Sequence, residues 1–232
     1  MEVESLYGKF FIVAHRGASG YEPENTIRAV QRALEIGVDA IEVDVRLSRD
    51  NVPVVIHDET VDRTTNGRGR VRDMTVEQLK MLDAGGDKVP LLEEVLQTVK
   101  GRAVLFIELK EVEASTPSLA LVKEIDMLNE VLFISFHAEA LTTVKSLEPN
   151  ACTGLIYARP GENIVAAKKI GCKFVLPAFW LATGKAVAFA HRLHLLVVTW
   201  TVDQPDVAAQ LKKLGVDGVT SNYPDLMMHL RA

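Results

Sequence analysis

Glu42 and Asp44 stand two residues apart in IEVDV (41–45), and Glu108 and Lys110 repeat that spacing in FIELK (106–110). Strand side chains alternate with period 2, so each pair shares one face while Ile41, Val43 and Val45 occupy the other. Three carboxylates gathered on a buried face would repel one another strongly. A single hard divalent cation with oxygen ligands relieves that repulsion, and Mg²⁺ or Ca²⁺ is the expected metal. His15 and Arg16 follow one short apolar run, and His57 and Asp58 follow another. Near neutral pH a pair of imidazoles can divide the work of base and acid, activating an oxygen nucleophile and protonating an oxygen leaving group. Arg16 and Lys110 beside a cation match a phosphate, above all the added charge of a phosphoryl transition state; a carboxylate is the alternative anion. Blander readings stand beside these. Glu42 and Asp44 could lie on an exposed edge strand or pair with Arg46 and Lys110, Arg16 could pair with Glu22 or Glu24, and either histidine could be an ordinary hydrogen-bonding residue.

Whether these groups meet depends on the elements that carry them. Short β-branched runs at about 10–14, 40–47, 104–110, 131–136, 152–157, 174–177, 195–201 and 218–220 alternate with helical patterns from end to end. That is the signal of strands joined by crossover helices in a parallel sheet. Eight such units in 232 residues favour a closed (β/α)8 barrel, the TIM barrel of the α/β class, whose active sites lie at the strand C-termini. A dinucleotide-binding sheet would need a Gly-rich turn that is missing. Helices are expected at 24–36, ending at Gly37, at 164–170, ending at Gly171, and at 206–214, following Pro205 and ending at Gly215. The rhythm breaks once, after the second strand: residues from about 48 to 90 form an insertion with an extra strand at 52–56 and a basic turn, RTTNGRGR (63–70), ahead of a helix at 91–99. The expectation is one barrel domain, 1–232, whose insertion folds over its mouth.

Composition excludes several classes. With 48% hydrophobic and 25% charged residues the chain is an ordinary globular one, and a net charge of −5 gives no field to gather nucleic acid or anionic membrane. No apolar run approaches the roughly 20 residues of a membrane helix, so no stable membrane insertion is expected, and a cytoplasmic location is the default. The two cysteines, Cys152 and Cys172, form no metal or redox motif and read as buried thiols. His191 and His194 near a helix end and His229 in a terminal helix suit a helix dipole, whereas His137, after Phe136, could reach the pocket rim. Phe179, Trp180 and Leu181 form the one obvious exposed apolar loop. Oligomeric state leaves no mark on this sequence.

Several separated blocks resemble the glycerophosphodiester phosphodiesterase family across nearly the whole chain: AHRGASGYEPENT (14–26), GVDAIEVDVRLSRDNVPVVIHDETVDRTTNG (37–67), VPLLEEVL (89–96), FIELK (106–110), FISF (133–136), VTWTVD (198–203) and GVDGVTSNYPD (215–225). HRG alone is weak; HRG, ExD, HD and ELK in this order are together specific. The resemblance implies a (β/α)8 barrel with a small insertion after the second strand. It implies Glu42, Asp44 and Glu108 as ligands of one divalent cation, His15 and His57 as general acid and base, Arg16 and Lys110 on the phosphate, and Trp200 near the substrate's glycerol. Asn25 would support the mouth. Two departures fall in the insertion, a short connection at 84–90 and Leu91 where Thr is common. The implied activity is hydrolysis of a small-molecule glycerophosphodiester to sn-glycerol 3-phosphate and an alcohol. The alternatives are a lysophospholipase D-like or phospholipase C-like activity on lipids and, from another class, a noncatalytic phosphate-ester binding protein.

Overall fold

In the computed structural model, which describes residues 1–231, the elements follow the expected alternation. In chain order they are β1 (Phe11–Ala14), α1 (Ile27–Ile36), β2 (Ala40–Leu47), β3 (Pro53–Val55), α2 (Val76–Met81), α3 (Leu92–Val99), β4 (Val104–Leu109), α4 (Ser115–Glu124), β5 (Val131–Ser135), α5 (Ala138–Leu147), β6 (Cys152–Tyr157), α6 (Asn163–Ile170), β7 (Phe174–Pro177), α7 (Gly184–Arg192), β8 (Leu196–Thr199), α8 (Pro205–Lys213) and β9 (Gly218–Ser221). Each strand except β3 pairs in parallel with its neighbours, and β1 bonds to both β9 and β2, which closes the barrel. The fold is the expected (β/α)8 barrel.

Alternation along the strands sorts the core into two shells. Phe11, Val13, Phe106, Leu132 and Phe174 fill the interior, while Ile41, Val43, Val45 and Ile107 pack outward with Val30, Ala33 and Leu92 of α1 and α3. On β2 and β4 the inward rows read Ala40, Glu42, Asp44 and Val104, Phe106, Glu108, with Asp44 opposite Glu108 in the ladder. Apolar residues therefore fill the lower barrel and carboxylates crown it. The lower end is plugged by Leu6, from a 3-10 turn at Val3–Leu6, and by Tyr7, whose ring stacks on Phe174 at 6.1 Å. Among the described residues no helix is long and apolar enough to cross a membrane.

Three expectations need correction. Helix α1 starts at Ile27 rather than at residue 24, because Asn25 adopts a left-handed φ of 58° and Thr26 becomes the cap, its side chain accepting the N–H of Ala29. The segment after β9 is a 3-10 turn, Pro224–Leu230, that contains His229. Its seven residues bury only Pro224 and Met227, too little to anchor an α-helix there. Cys172 is buried, but Cys152 is only half-buried, because it opens β6 at the barrel's lower rim; both thiols are free.

Between β2 and β4, β3 lies antiparallel on the upper half of β2, with Val55 opposite Val45. The chain then folds over a small apolar cluster of Val54, Ile56, Val61, Val71 and Leu79. Thr75 and Gln78 cap α2 reciprocally, whereas Leu91 offers α3 no capping oxygen. Only half of a capping box forms there, the Leu91 N–H donating to Glu94 Oε2 at 2.7 Å.

Candidate active site

The turn after β1 and the upper ends of β2 and β4 bring the predicted groups together. Arg16 follows β1 in a left-handed conformation (φ 55°), which aims its backbone N–H at Glu42 Oε2, 2.9 Å away. Gly17 continues the left-handed path (φ 77°) against the backbone of Ala29, where a Cβ would stand 2.5 Å from the carbonyl carbon. Asn25 clasps Asp44 from two sides: its Nδ2 donates to Asp44 Oδ2 at 2.8 Å, and its Oδ1 accepts the Asp44 N–H at 3.2 Å. Lys110 Nζ lies 2.6 Å from Glu108 Oε1 and 3.5 Å from Asp44 Oδ1. Arg16 donates to Glu24 Oε1 at 2.8 Å while its Nε lies 3.2 Å from Asp44 Oδ2. The alternative pairing with Glu24 therefore exists, without removing Arg16 from the carboxylates; Glu22 pairs with Arg28 and Arg46 with Glu111.

Glu42, Asp44 and Glu108 each present a carboxylate oxygen within 4.8 Å of the others, a group that could hold a metal ion. Burial works against the Asp44 charge, but Lys110, Arg16 and Asn25 hold its carboxyl below the usual range. Burial, then the charge of Asp44, pushes Glu42 well above its ordinary value and Glu108 up to about 7. Glu42 Oε1 is buried with no hydrogen-bond partner. Hard, mutually repelling, incompletely satisfied oxygens are what a divalent cation would complete, so the donor set fits one.

Both imidazoles face the same pocket with defined hydrogen bonds behind them. Asn222 Nδ2 donates to Asp203 Oδ2 at 2.7 Å, which turns its Oδ1 toward His15 Nδ1 at 2.8 Å. An acceptor there requires the proton on His15 Nδ1, and Nε2 is left to face the site, 4.0 Å from Glu42 Oε2. His57 is carried in beyond β3, where the Ile56 N–H donates to Asp44 O at 3.0 Å. Its Nδ1 contacts Asp58 Oδ1 at 2.6 Å. Arg63 grips Asp58 (2.7 and 3.0 Å) and Glu24 (2.7 and 2.8 Å) together. These bonds hold Asp58 far below the usual carboxylate range. Burial lowers both imidazoles below their ordinary value.

The pocket is lined on its polar side by His15, Arg16, Glu42, His57, Glu108 and Lys110, and on its apolar side by Phe136, Leu176 and Trp200. Trp200 donates its indole N–H to Leu176 O at 2.9 Å and meets Phe136 edge to face at 5.5 Å. Every predicted site residue is thus in one place, with Asp44 just beneath the surface. The residues missed are those behind them: Asn222, Asp203, and Arg63 as the clamp between Asp58 and Glu24. TSNYPD and VTWTVD already contained the first two, but nothing in their spacing ties them to His15. His137 lies beside Lys110 in an adjoining groove. Trp180, 61% exposed, stands on the 3-10 turn Phe179–Leu181 with its neighbours half-buried, and His191 pairs with Asp217 at 2.9 Å, away from the pocket.

Comparison with known proteins agrees with this geometry. Residues 15–226 match the sequence profile of the glycerophosphoryl diester phosphodiesterase family. A glycerophosphodiester phosphodiesterase of Caldanaerobacter subterraneus subsp. tengcongensis is 35% identical over 96% of this chain and 98% of its own. Among solved structures, a phosphodiesterase of Oleispira antarctica in complex with the product sn-glycerol-3-phosphate is similar at TM-score 0.89, with 28% identity over 95% of this chain and 96% of that one. A glycerophosphodiester phosphodiesterase of Agrobacterium tumefaciens is similar at TM-score 0.84, with 31% identity over 95% and 99%.

Proposed function

This chain belongs to the glycerophosphoryl diester phosphodiesterase family, and from that premise we propose that His15 and His57 cleave a glycerophosphodiester to sn-glycerol 3-phosphate and an alcohol, with Glu42, Asp44 and Glu108 holding one Mg²⁺ or Ca²⁺. The observation that carries the reading is that both imidazoles and the carboxylate group surround one pocket. Residues 48–90 are read as an excursion of the single barrel that delivers His57 to its mouth.

When bound, the cation would draw charge from the nonbridging phosphate oxygens and lower the pKa of an oxygen nucleophile. Arg16 and Lys110 would hold the phosphate and meet the extra charge of the transition state. The negative carboxylate of Asp58 beside His57 favours an imidazolium more strongly than does the neutral amide of Asn222 behind His15, where the charge of Arg16 also opposes one. His15 Nε2 is therefore assigned as the base that takes the nucleophile's proton. His57 is the acid that protonates the alkoxide as its bond to phosphorus breaks. If the nucleophile is the substrate's own glycerol 2-hydroxyl, a five-membered cyclic phosphate forms and is then hydrolysed; if it is water, the products form directly. Trapping the cyclic ester separates the two routes. Trp200 would line the glycerol side of the pocket. The noncatalytic alternative expected part of this set to be missing, and all of it is present. The lipid alternative draws on the exposed Trp180, whose neighbours Phe179 and Leu181 are half-buried.

The test is a coupled assay of glycerol 3-phosphate released from several glycerophosphodiesters, with and without EDTA. Release is expected, and EDTA should abolish it. Release that persists in EDTA removes the cation from the reading, and no release from any diester removes the activity.

A further inference from the structure

Lys110 lines two hollows: the pocket just described and an open groove of about 380 Å³. We propose that this groove receives the departing alcohol and selects a polyhydroxy alcohol, such as glycerol or a cyclic polyol, over the quaternary ammonium of choline; the proposal rests on the phosphodiesterase reading above.

Position comes first. The two halves of a diester extend from one phosphorus, so they need two spaces that meet at the phosphate-holding group, and Lys110 is where these spaces meet. Arg46, in the groove wall, donates its Nε proton to the backbone carbonyl of His57 at 2.8 Å. That bond ties the groove wall to the backbone of the residue assigned to protonate the leaving oxygen, whose imidazole lines the adjoining pocket. The groove is also the more open space of the two, as release of an alcohol to solvent requires, whereas the aromatic pair Phe136 and Trp200 lines the pocket and not the groove.

Chemistry selects the ligand class. The polar wall sets Arg46, Arg70, Arg72 and Lys110 against Glu59, Glu111 and Glu113, four cationic groups against three carboxylates. Glu111 is fixed before any ligand arrives: its Oε1 accepts the Leu47 N–H at 2.9 Å. Its two oxygens also lie 3.8 Å from Arg46 Nη1 and 3.6 Å from Arg72 Nη1. A polyol hydroxyl both donates and accepts, and adjacent guanidinium and carboxylate groups offer both partners in preset directions. A quaternary ammonium has no hydrogen to donate and is recognised by the faces of Trp, Tyr or Phe, and none of these lines the groove among the described residues, where the one ring is the imidazole of His137. Nor do four cationic groups against three carboxylates create a field that would draw a cation.

The test compares kcat/KM for glycerophosphoglycerol, glycerophosphoinositol and glycerophosphocholine in the full-length enzyme supplied with Mg²⁺ or Ca²⁺. The same three substrates are then given to the Arg72→Ala, Glu113→Ala double variant, both of whose sites are exposed. The polyol esters should be preferred by about tenfold, the size of two good hydrogen bonds. The double variant should lose about that factor on them while its choline-ester value stays within about twofold, which also establishes that it is folded. A wild-type enzyme that turns over the choline ester as well as the others overturns the groove assignment and leaves the hydrolase reading standing. So does a variant whose three values fall together or do not change. Loss of all release in the wild-type enzyme overturns both.

Discussion

His15 and His57 reach the same pocket, but each is backed by a different chemistry, an amide anchored by Asp203 and a carboxylate gripped by Arg63. In the proposed reaction neither can replace the other, since one must accept a proton while the other gives one. His15→Ala and His57→Ala are each expected to lower kcat by about 10²–10⁴, the usual range for a positioned acid or base, without lowering the melting temperature. Steady-state kinetics beside a thermal melt checks this, and near-normal turnover in either variant would free that residue from the mechanism. The types and spacing of these two, and of Glu42, Asp44, Glu108 and Lys110, were legible in the sequence because strand alternation is a local rule. Asn222, Arg63 and Asp203 were not, since their roles exist only across contacts such as the 207 positions that separate Asn222 from His15.

Of the elements, the turn between β1 and α1 carries the heaviest constraint. Arg16 and Asn25 both adopt positive φ, and Gly17 between them presses against the backbone of Ala29. An alanine at Gly17 meets a left-handed φ and a 2.5 Å approach to backbone that cannot swing away. Gly17→Ala is expected to cost about 1–3 kcal/mol in a urea titration. It should also depress turnover by displacing Arg16 from Glu42, and an unchanged midpoint would show that this turn yields more easily than its packing implies. Strand positions were read correctly within a residue or two because each is a β-branched run ended by a turn signal. Helix α1 was placed three residues early, since a left-handed Asn25 reserved for Asp44 cannot be told from an ordinary helical residue in the sequence.

For the molecule as a whole, the buried carboxylates join stability to ion binding. Glu108 titrates near 7 and Glu42 well above its ordinary value, so the folded state holds these protons more tightly than the unfolded chain does. Their contribution to stability is complete below the unfolded carboxylate pKa of about 4.3 and is lost as pH rises through about 7. The two lowered imidazoles act in the opposite sense over this range, but the carboxylate shifts are the larger, so the cation-free protein should melt at a lower temperature at pH 8 than at pH 5.5. A divalent cation at about 100 times its Kd should add roughly 2.7 kcal/mol at pH 8, a rise of about 5–10 °C, and less at pH 5.5, where it must displace protons. Calorimetry at both pH values checks this, and an equal rise at both would contradict the assigned ligands. The sequence by itself determined the barrel, its strand count and the shared face of Glu42, Asp44 and Glu108, because period-2 alternation, glycine stops and composition act over a few neighbouring positions. Only the tertiary structure decided which group stands behind each imidazole, that Arg16 serves Glu24 and the carboxylates at once, and that Lys110 also lines a polar groove. Those features depend on side chains far apart in the chain whose directions are fixed only when the barrel closes and its upper loops pack together.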